Sequence, residues 1–199
     1  VFQATVLDAW FADVAEGQYT RTLLFSTVFE LMSLVGCGIH PSIHAAYQAA
    51  KKKQAIAVTV QAVYGKLNGL EVTTSAALVR QVAEAVTPLI DELDGRQPAR
   101  FPGYRVKILD GNCIEATEHR LAVLRSLAAG ALPGKSLVVY DPCLRIPLDV
   151  FPCEDGHAQE RALLGDVLAR VEADDVWVAD RNMCTCAFTC GIADREAYF

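Results

Sequence analysis

A chain of 199 residues has room for one domain with a sizeable core or for two small domains, and a hydrophobic fraction of 52% excludes wholesale disorder. A net charge of −6 argues against a protein that coats nucleic acid indiscriminately, since phosphate binding normally goes with a basic balance. No apolar run reaches the roughly 18 residues of a membrane span, and the N-terminus lacks a basic export signal. We therefore expect a cytoplasmic protein whose seven cysteines are reduced.

Residues 1–95 have apolar side chains at helical spacing and are predicted to form an all-helical domain. Ser42 is placed to cap a helix that runs to Lys53. The segment 91–102 is polar, contains glycine and proline, and has no periodicity, which is typical of a domain boundary. A second domain is therefore predicted over 103–199.

Two features of the helical region are candidates for DNA contacts. Lys51, Lys52 and Lys53 close the capped helix, where they either complement the helix dipole or contact phosphate groups. Two later helices joined by a tight turn have the arrangement of a helix-turn-helix-like reader, with Tyr64 and Lys66 exposed. Any small helical bundle gives the same pattern, so both interpretations stay open.

The second domain is predicted to be an α/β domain with a mixed sheet and flanking helices. Four strands are expected, with one helix after the first strand and an amphipathic helix before the fourth. In chain order these elements are 104–109, the helix 114–131, 137–140, 146–151, the helix 158–173 and 176–179. If the first three strands pair as a meander and the second helix crosses over, strands one and four become neighbours.

Asp110 and Asp180 each follow an apolar run and are each followed within two residues by an asparagine. The predicted strand order places the two carboxylates side by side at one edge of the sheet. Carboxylate oxygens are the ligands that Mg²⁺ prefers, so the pair predicts a divalent metal site. Ordinary turn chemistry is the competing explanation, because aspartate is common after strands.

Cys184, Cys186 and Cys190 have C-x-C-x3-C spacing, which suggests a zinc site. A fourth nearby ligand is missing, and at a helix start two of the three side chains would point apart. We therefore expect buried thiols.

The C-terminal half resembles the transposases of IS4-type insertion sequences, whose catalytic core is an RNase H-like domain with a DDE triad. The resemblance rests on LDGN at 109–112, ATEHRLAVLR at 116–125, LPGKSLVVYDP at 132–142, PCEDGHAQER at 152–161 and VWVADRNMCT at 176–185. The segments 29–49 and 63–80 are similar to the helical region that precedes the core in such proteins. The resemblance implies that Asp110 and Asp180 are the first two triad carboxylates. The third, a glutamate on a later helix, has no counterpart here, so an incomplete core with an exposed apolar surface around the last strand is expected.

The implied activity is DNA transposition, by metal-dependent phosphodiester cleavage and strand transfer with two Mg²⁺ or Mn²⁺ ions bound by Asp110 and Asp180. The implied partners are double-stranded DNA of transposon ends and target, bound at the nucleoid, and a second copy of the chain in a homodimer. With two of the three acids, this chain is expected to be inactive by itself. The alternatives are a non-catalytic DNA-binding remnant and an unrelated metal-dependent phosphohydrolase. The latter usually needs a second acid where Asn112 stands.

Overall fold

The computed structural model describes residues 2–17, 22–113, 135–153 and 159–199. Within these ranges it contains seven α-helices and a four-stranded mixed sheet, so the predicted α/β class is confirmed. The contacts divide the chain into two units, Val1–Thr74 and Ser75–Phe199. The predicted helix over 114–131 lies outside the described residues. No helix of the described part combines the length and apolar character that crossing a membrane requires.

The first unit contains, in its described part, four complete helices and the start of a fifth. These are α1 (Ala4–Val14), α2 (Phe25–Gly36), α3 (Ile43–Lys52), α4 (Val60–Asn68) and α5 (Val72–Glu92). The predicted cap of α3 is confirmed, because the Ser42 side chain accepts a 3.2 Å hydrogen bond from the Ala45 N–H. Thr59 caps α4 in the same way. Helices α2, α3 and α4 share an apolar core that includes Val28, Leu31, Tyr47, Ile56 and Val63.

The second unit is built on strands β1 (Arg105–Cys113), β2 (Lys135–Asp141), β3 (Ile146–Cys153) and β4 (Asp175–Ala179). Their order in the sheet is β3-β2-β1-β4. β1, β2 and β3 form an antiparallel meander, whereas β4 runs parallel to β1. The prediction that strands one and four are neighbours is therefore confirmed. The crossover segment contains a 3₁₀ turn at Glu160–Leu163 and the short helix α6 (Leu164–Leu168).

One face of this sheet carries the core of the second unit. Leu109, Leu137 and Trp177 are almost completely buried there. The same apolar cluster contains two residues of α6, Leu164 and Val167. It also contains Phe188 and Ile192 of helix α7 (Cys186–Ala193). The alternation of side chains along a strand then directs Asp110 to the opposite face from Leu109.

The boundary between the units differs from the predicted one, which put 1–95 in the first domain. Arg80, in the middle of α5, forms a 2.9 Å ion pair with Asp149 of β3, so most of α5 belongs with the sheet. The helix also continues through Pro88 to Glu92. A proline within a helical pattern and a polar segment after it suggest a boundary in the sequence, but the contacts of α5 place the division at Thr74.

Large apolar side chains are exposed around β4. Val178 is 45% exposed, Tyr198 51% and Phe199 43%. Tyr198 also extends the sheet, because it forms an isolated parallel bridge to Val176 of β4. Two backbone hydrogen bonds hold it there, from Trp177 N to Tyr198 O and from Tyr198 N to Asp175 O.

Candidate carboxylate site

Asp110 and Asp180 lie at the same edge of the sheet because β1 and β4 are parallel neighbours. Leu109 and Ala179 are paired Cα partners in the register, and each aspartate is the next residue of its chain segment. Both side chains are exposed. The structure therefore places the two aspartates that the sequence singled out at neighbouring backbone positions.

Asp110 does not end its strand, so that prediction is wrong. β1 continues for three residues beyond it, and Asp110 is paired with Val138 of β2. The strand continues because β2 supplies ladder partners as far as Cys113, which the local sequence of a polar, glycine-containing segment does not indicate. Asp110 is consequently held in the ladder with β2, whereas the pairing of β1 with β4 ends at Leu109. Its Oδ1 accepts a 2.9 Å hydrogen bond from the Gly111 N–H.

Asp180 sits directly after β4 and caps a 3₁₀ turn at Arg181–Met183. Its Oδ1 accepts hydrogen bonds from the backbone N–H groups of Asn182, at 2.7 Å, and Met183, at 3.3 Å. The turn is tied to the crossover segment by Arg161, which donates from Nε to Asn182 O at 2.6 Å and from Nη2 to Asn182 Oδ1 at 2.9 Å. Asp180 thus caps a turn, as aspartates after strands commonly do, and these hydrogen bonds fix the orientation of its carboxylate.

Glu160 is a third acidic residue close to β1. A Cβ added to Gly111 would lie 2.5 Å from Glu160 Oε1, so the carboxylate rests against the Gly111 backbone. Gly111 follows Asp110 in the strand, and its side-chain position therefore faces the other side of the sheet. Among the described residues, no three His, Cys, Asp or Glu side chains are grouped closely enough to hold a metal ion.

The two aspartates still suit a divalent cation by their chemistry. Each has one carboxylate oxygen engaged with backbone N–H groups, and neither forms an ion pair with a basic side chain of the described residues. Mg²⁺ keeps several water ligands and is usually bound through one or two carboxylates, so either aspartate has the chemistry of one of its ligands. The two-ion arrangement stays a prediction.

A buried ion-pair network holds β1 and β4 in the register on which the site depends. Asp175 is fully buried, and its Oδ2 accepts hydrogen bonds from Lys107 Nζ at 2.7 Å and from the Glu172 N–H at 2.9 Å. Arg105 Nη2 lies 3.1 Å from Oδ1, an ion-pair contact without hydrogen-bond geometry. Arg105 and Asp175 are themselves Cα partners. Sequence reasoning missed this network, although two adjacent aspartates before an apolar strand were a visible signal.

The DNA-contact candidates of the first unit differ in exposure. Lys51, Lys52 and Lys53 are exposed at the end of α3, and Tyr64 is 40% exposed. Lys66 is only 9% exposed, so the prediction of an exposed Lys66 is wrong. Its Nζ has no hydrogen-bond partner in the described structure and lies 5.2 Å from the centroid of the Phe11 ring. An ammonium group in this position does not reach a phosphate at the surface.

Burial lowers the pKa of Lys66 from its ordinary value, and the nearby charge of Asp8 opposes this effect. Lys66 follows Val63, which is fully buried, by three residues, so both side chains lie on the same face of α4. The spacing of apolar residues in a helix does not show whether a lysine beside the apolar face has a buried or an exposed ammonium group. The burial of Lys66 could therefore not be predicted from the sequence pattern.

The cysteines after Asp180 also differ from expectation. Cys184, Cys186 and Cys190 are all exposed free thiols, so the prediction of buried thiols is wrong. Helix α7 turns Phe188 and Ile192 towards the core instead, and the cysteines occupy its other faces.

Comparison of the chain with family models, with curated proteins and with solved structures finds no match in any of the three.

Proposed function

We propose that the chain carries part of the catalytic core of an IS4-type DDE transposase, in which an all-helical N-terminal domain precedes an RNase H-like sheet. The proposed activity is Mg²⁺-dependent phosphodiester cleavage and strand transfer at transposon ends. The observation that supports it is the adjacency of Asp110 and Asp180 on parallel strands of a sheet ordered β3-β2-β1-β4. The resemblance of the sequence to IS4-type transposases implies that these same two residues are the first two carboxylates of the DDE triad.

The proposed chemistry assigns Asp110 and Asp180 to metal binding. A bound Mg²⁺ ion supplies Lewis-acid activation of a water or of a 3′-hydroxyl towards the phosphodiester. The aspartates serve as anionic oxygen ligands, and their positions are set before binding, by the ladder around Asp110 and the capped turn after Asp180. Their exposure leaves the site open to a substrate as large as duplex DNA.

The chain by itself is proposed to bind DNA without cutting it, since it contains two of the three triad carboxylates. Lys51, Lys52 and Lys53 are the proposed phosphate contacts of the first unit because three adjacent ammonium groups are exposed there. Lys66 is left out of this proposal on account of its burial.

Metal binding is tested first, because it does not depend on catalysis. Mn²⁺ titrated into the full chain and followed by electron paramagnetic resonance should bind, and binding should be lost in Asp110→Ala and in Asp180→Ala. Asp13→Ala, which removes an exposed carboxylate of α1, is the matched control and should bind as the parent does. Equal Mn²⁺ binding in all four proteins would show that the pair is not a metal site.

DNA binding is tested with a labelled duplex at two salt concentrations. Binding should persist without Mg²⁺, survive both aspartate substitutions, and weaken equally for all duplex sequences when Lys51, Lys52 and Lys53 are replaced by glutamine. Lys66→Met should leave binding unchanged. Metal-dependent nicking that disappears in either aspartate variant would establish an active enzyme instead of a binding module.

A further inference from the structure

An open pocket of the second unit lies near the start of β1, away from Asp110. It has a volume of about 610 Å³ and is formed by the segment 97–100 and the turn between β2 and β3. Tyr140 of β2 pairs with Ile108, and β2 runs antiparallel to β1, so the turn that follows β2 lies towards the start of β1. Its lining side chains include Gln97, Arg100, Tyr140 and Arg145.

The charge of this pocket is unbalanced. Arg100 and Arg145 both line it, and none of the lining residues in the described part of the chain is acidic. Neither guanidinium forms an ion pair with a carboxylate of the described residues. Two acids near these arginines in the sequence are engaged elsewhere: Asp91 pairs with Arg96, and Asp141 Oδ1 accepts from two backbone N–H groups of the turn.

The pocket is held in shape by backbone hydrogen bonds. Gln97 N donates to Cys143 O at 2.8 Å, which ties the two walls together. The Asp141 carboxylate accepts from the N–H groups of Cys143, at 2.7 Å, and Leu144, at 3.0 Å, and Arg145 N donates to Asp141 O at 2.7 Å. The two arginines therefore extend from a backbone that is already ordered, which reduces the entropy lost when a ligand binds.

Arg145 stands at a position where the backbone favours a different residue. Its φ is +59°, in the left-handed region that glycine adopts without cost. Glycine would fit this position at least as well, so the conformation of the turn does not itself require the arginine side chain that lines the pocket.

We infer that this pocket binds a phosphate group through Arg100 and Arg145, the side chains best suited to bidentate recognition of phosphate oxygens. This inference rests on the proposed function, under which the phosphate group is part of the backbone of bound duplex DNA. The pocket then supplies a contact on the second unit, separate from the carboxylate pair and from the lysines of α3.

The test uses the full chain and two probes, inorganic phosphate followed by phosphorus NMR and a labelled duplex followed by anisotropy over a series of salt concentrations. In the double variant Arg100→Gln/Arg145→Gln, phosphate binding should be lost and duplex affinity should fall about tenfold. The slope of log affinity against log salt concentration should become shallower by the equivalent of about one phosphate contact. Arg195→Gln, an exposed arginine of the segment after α7, is the control and should keep phosphate binding. Mn²⁺ binding at the aspartates should be the same in all variants.

Arg145→Gly separates a ligand contact from a structural role. Glycine removes the guanidinium and relieves the left-handed backbone, so the melting temperature should stay equal or rise while phosphate binding falls. Binding of both probes that is unchanged in the double variant overturns the inference. If phosphate binds in an Arg145-dependent way but the duplex does not bind, the pocket is an anion site whose phosphate does not come from DNA. That result would also contradict the DNA-binding part of the proposed function.

Discussion

Lys107 Nζ donates a 2.7 Å hydrogen bond to the fully buried carboxylate of Asp175, and this contact joins β1 to β4 at the end of the strand pair opposite Asp110 and Asp180. Lys107 also lies over the ring of Trp177, with Nζ 5.4 Å from the ring centroid. The position of the two candidate metal ligands therefore depends on an ion pair at the other end of the same two strands.

The first prediction is that Lys107→Met lowers the free energy of unfolding of the second unit by about 2 kcal/mol, because it leaves a buried carboxylate short of one partner while Arg105 and the Glu172 N–H remain. Urea unfolding should be followed by Trp177 fluorescence in a Trp10→Phe background, since these are the two tryptophans of the chain. Lys51→Met, at an exposed site, should change stability by less than about 0.5 kcal/mol. Equal stability of the two variants would contradict the role assigned to Lys107.

The second prediction compares two glycines that both lie in helices. Gly165 of α6 has open space around an added Cβ, so Gly165→Ala should stabilise by up to about 1 kcal/mol through helix propensity. At Gly191 of α7 an added Cβ would lie 2.7 Å from Leu168 Cδ1, so Gly191→Ala should destabilise by about 1 kcal/mol or more despite the same propensity gain. Thermal melts of the two variants check the signs. A stabilising Gly191→Ala would mean that α7 does not pack closely against Leu168.

The third prediction concerns the buried ammonium of Lys66. Lys66→Met should stabilise the first unit by about 1 kcal/mol, because it replaces an unpartnered buried charge by an apolar group of similar length. The pKa of Lys66 is lowered in the folded chain, so in the alkaline range just below the ordinary lysine value the unfolded chain binds more protons than the folded one. Stability should therefore rise with pH across that range, and the rise should be smaller in Lys66→Met.

Lys53→Met is the matched control for this third prediction, since it removes an exposed ammonium from the neighbouring helix end. Its stability should stay close to that of the parent, with the same dependence on pH. Calorimetric melts at neutral and alkaline pH measure both effects. A less stable Lys66→Met would indicate that the ammonium makes a favourable contact.

The fourth prediction is self-association through the exposed apolar side chains around β4. Val178 of β4 and Tyr198, which bridges to that strand, expose apolar surface, and Phe199, whose ring contacts Phe188, is also exposed. Sedimentation velocity should show association that increases with concentration and decreases in Val178→Lys. Met32→Lys, which adds the same charge at a 45% exposed apolar residue of the first unit, is the control and should associate as the parent does. A monodisperse monomer at all concentrations would contradict this use of the surface.

The sequence by itself determined those features that depend on neighbouring residues. The Ser42 cap, the helices of the first unit, the four strands and the position of strand four beside strand one follow from periodicity, capping chemistry and the crossover between strands three and four. Asp110 and Asp180 were found as a pair because each is the polar residue after an apolar run, and the strand order then made them neighbours.

Only the tertiary structure decided the features that depend on distant partners. Asp110 lies within its strand because β2 continues to pair beyond it, and α5 belongs to the second unit because Arg80 reaches Asp149. Lys66 is buried because its face of α4 packs near Phe11, while the thiols after Asp180 are exposed because Phe188 and Ile192 take the core side of α7. Local patterns specify which residues share a face, but the free energy of burial depends on what the rest of the chain places against that face.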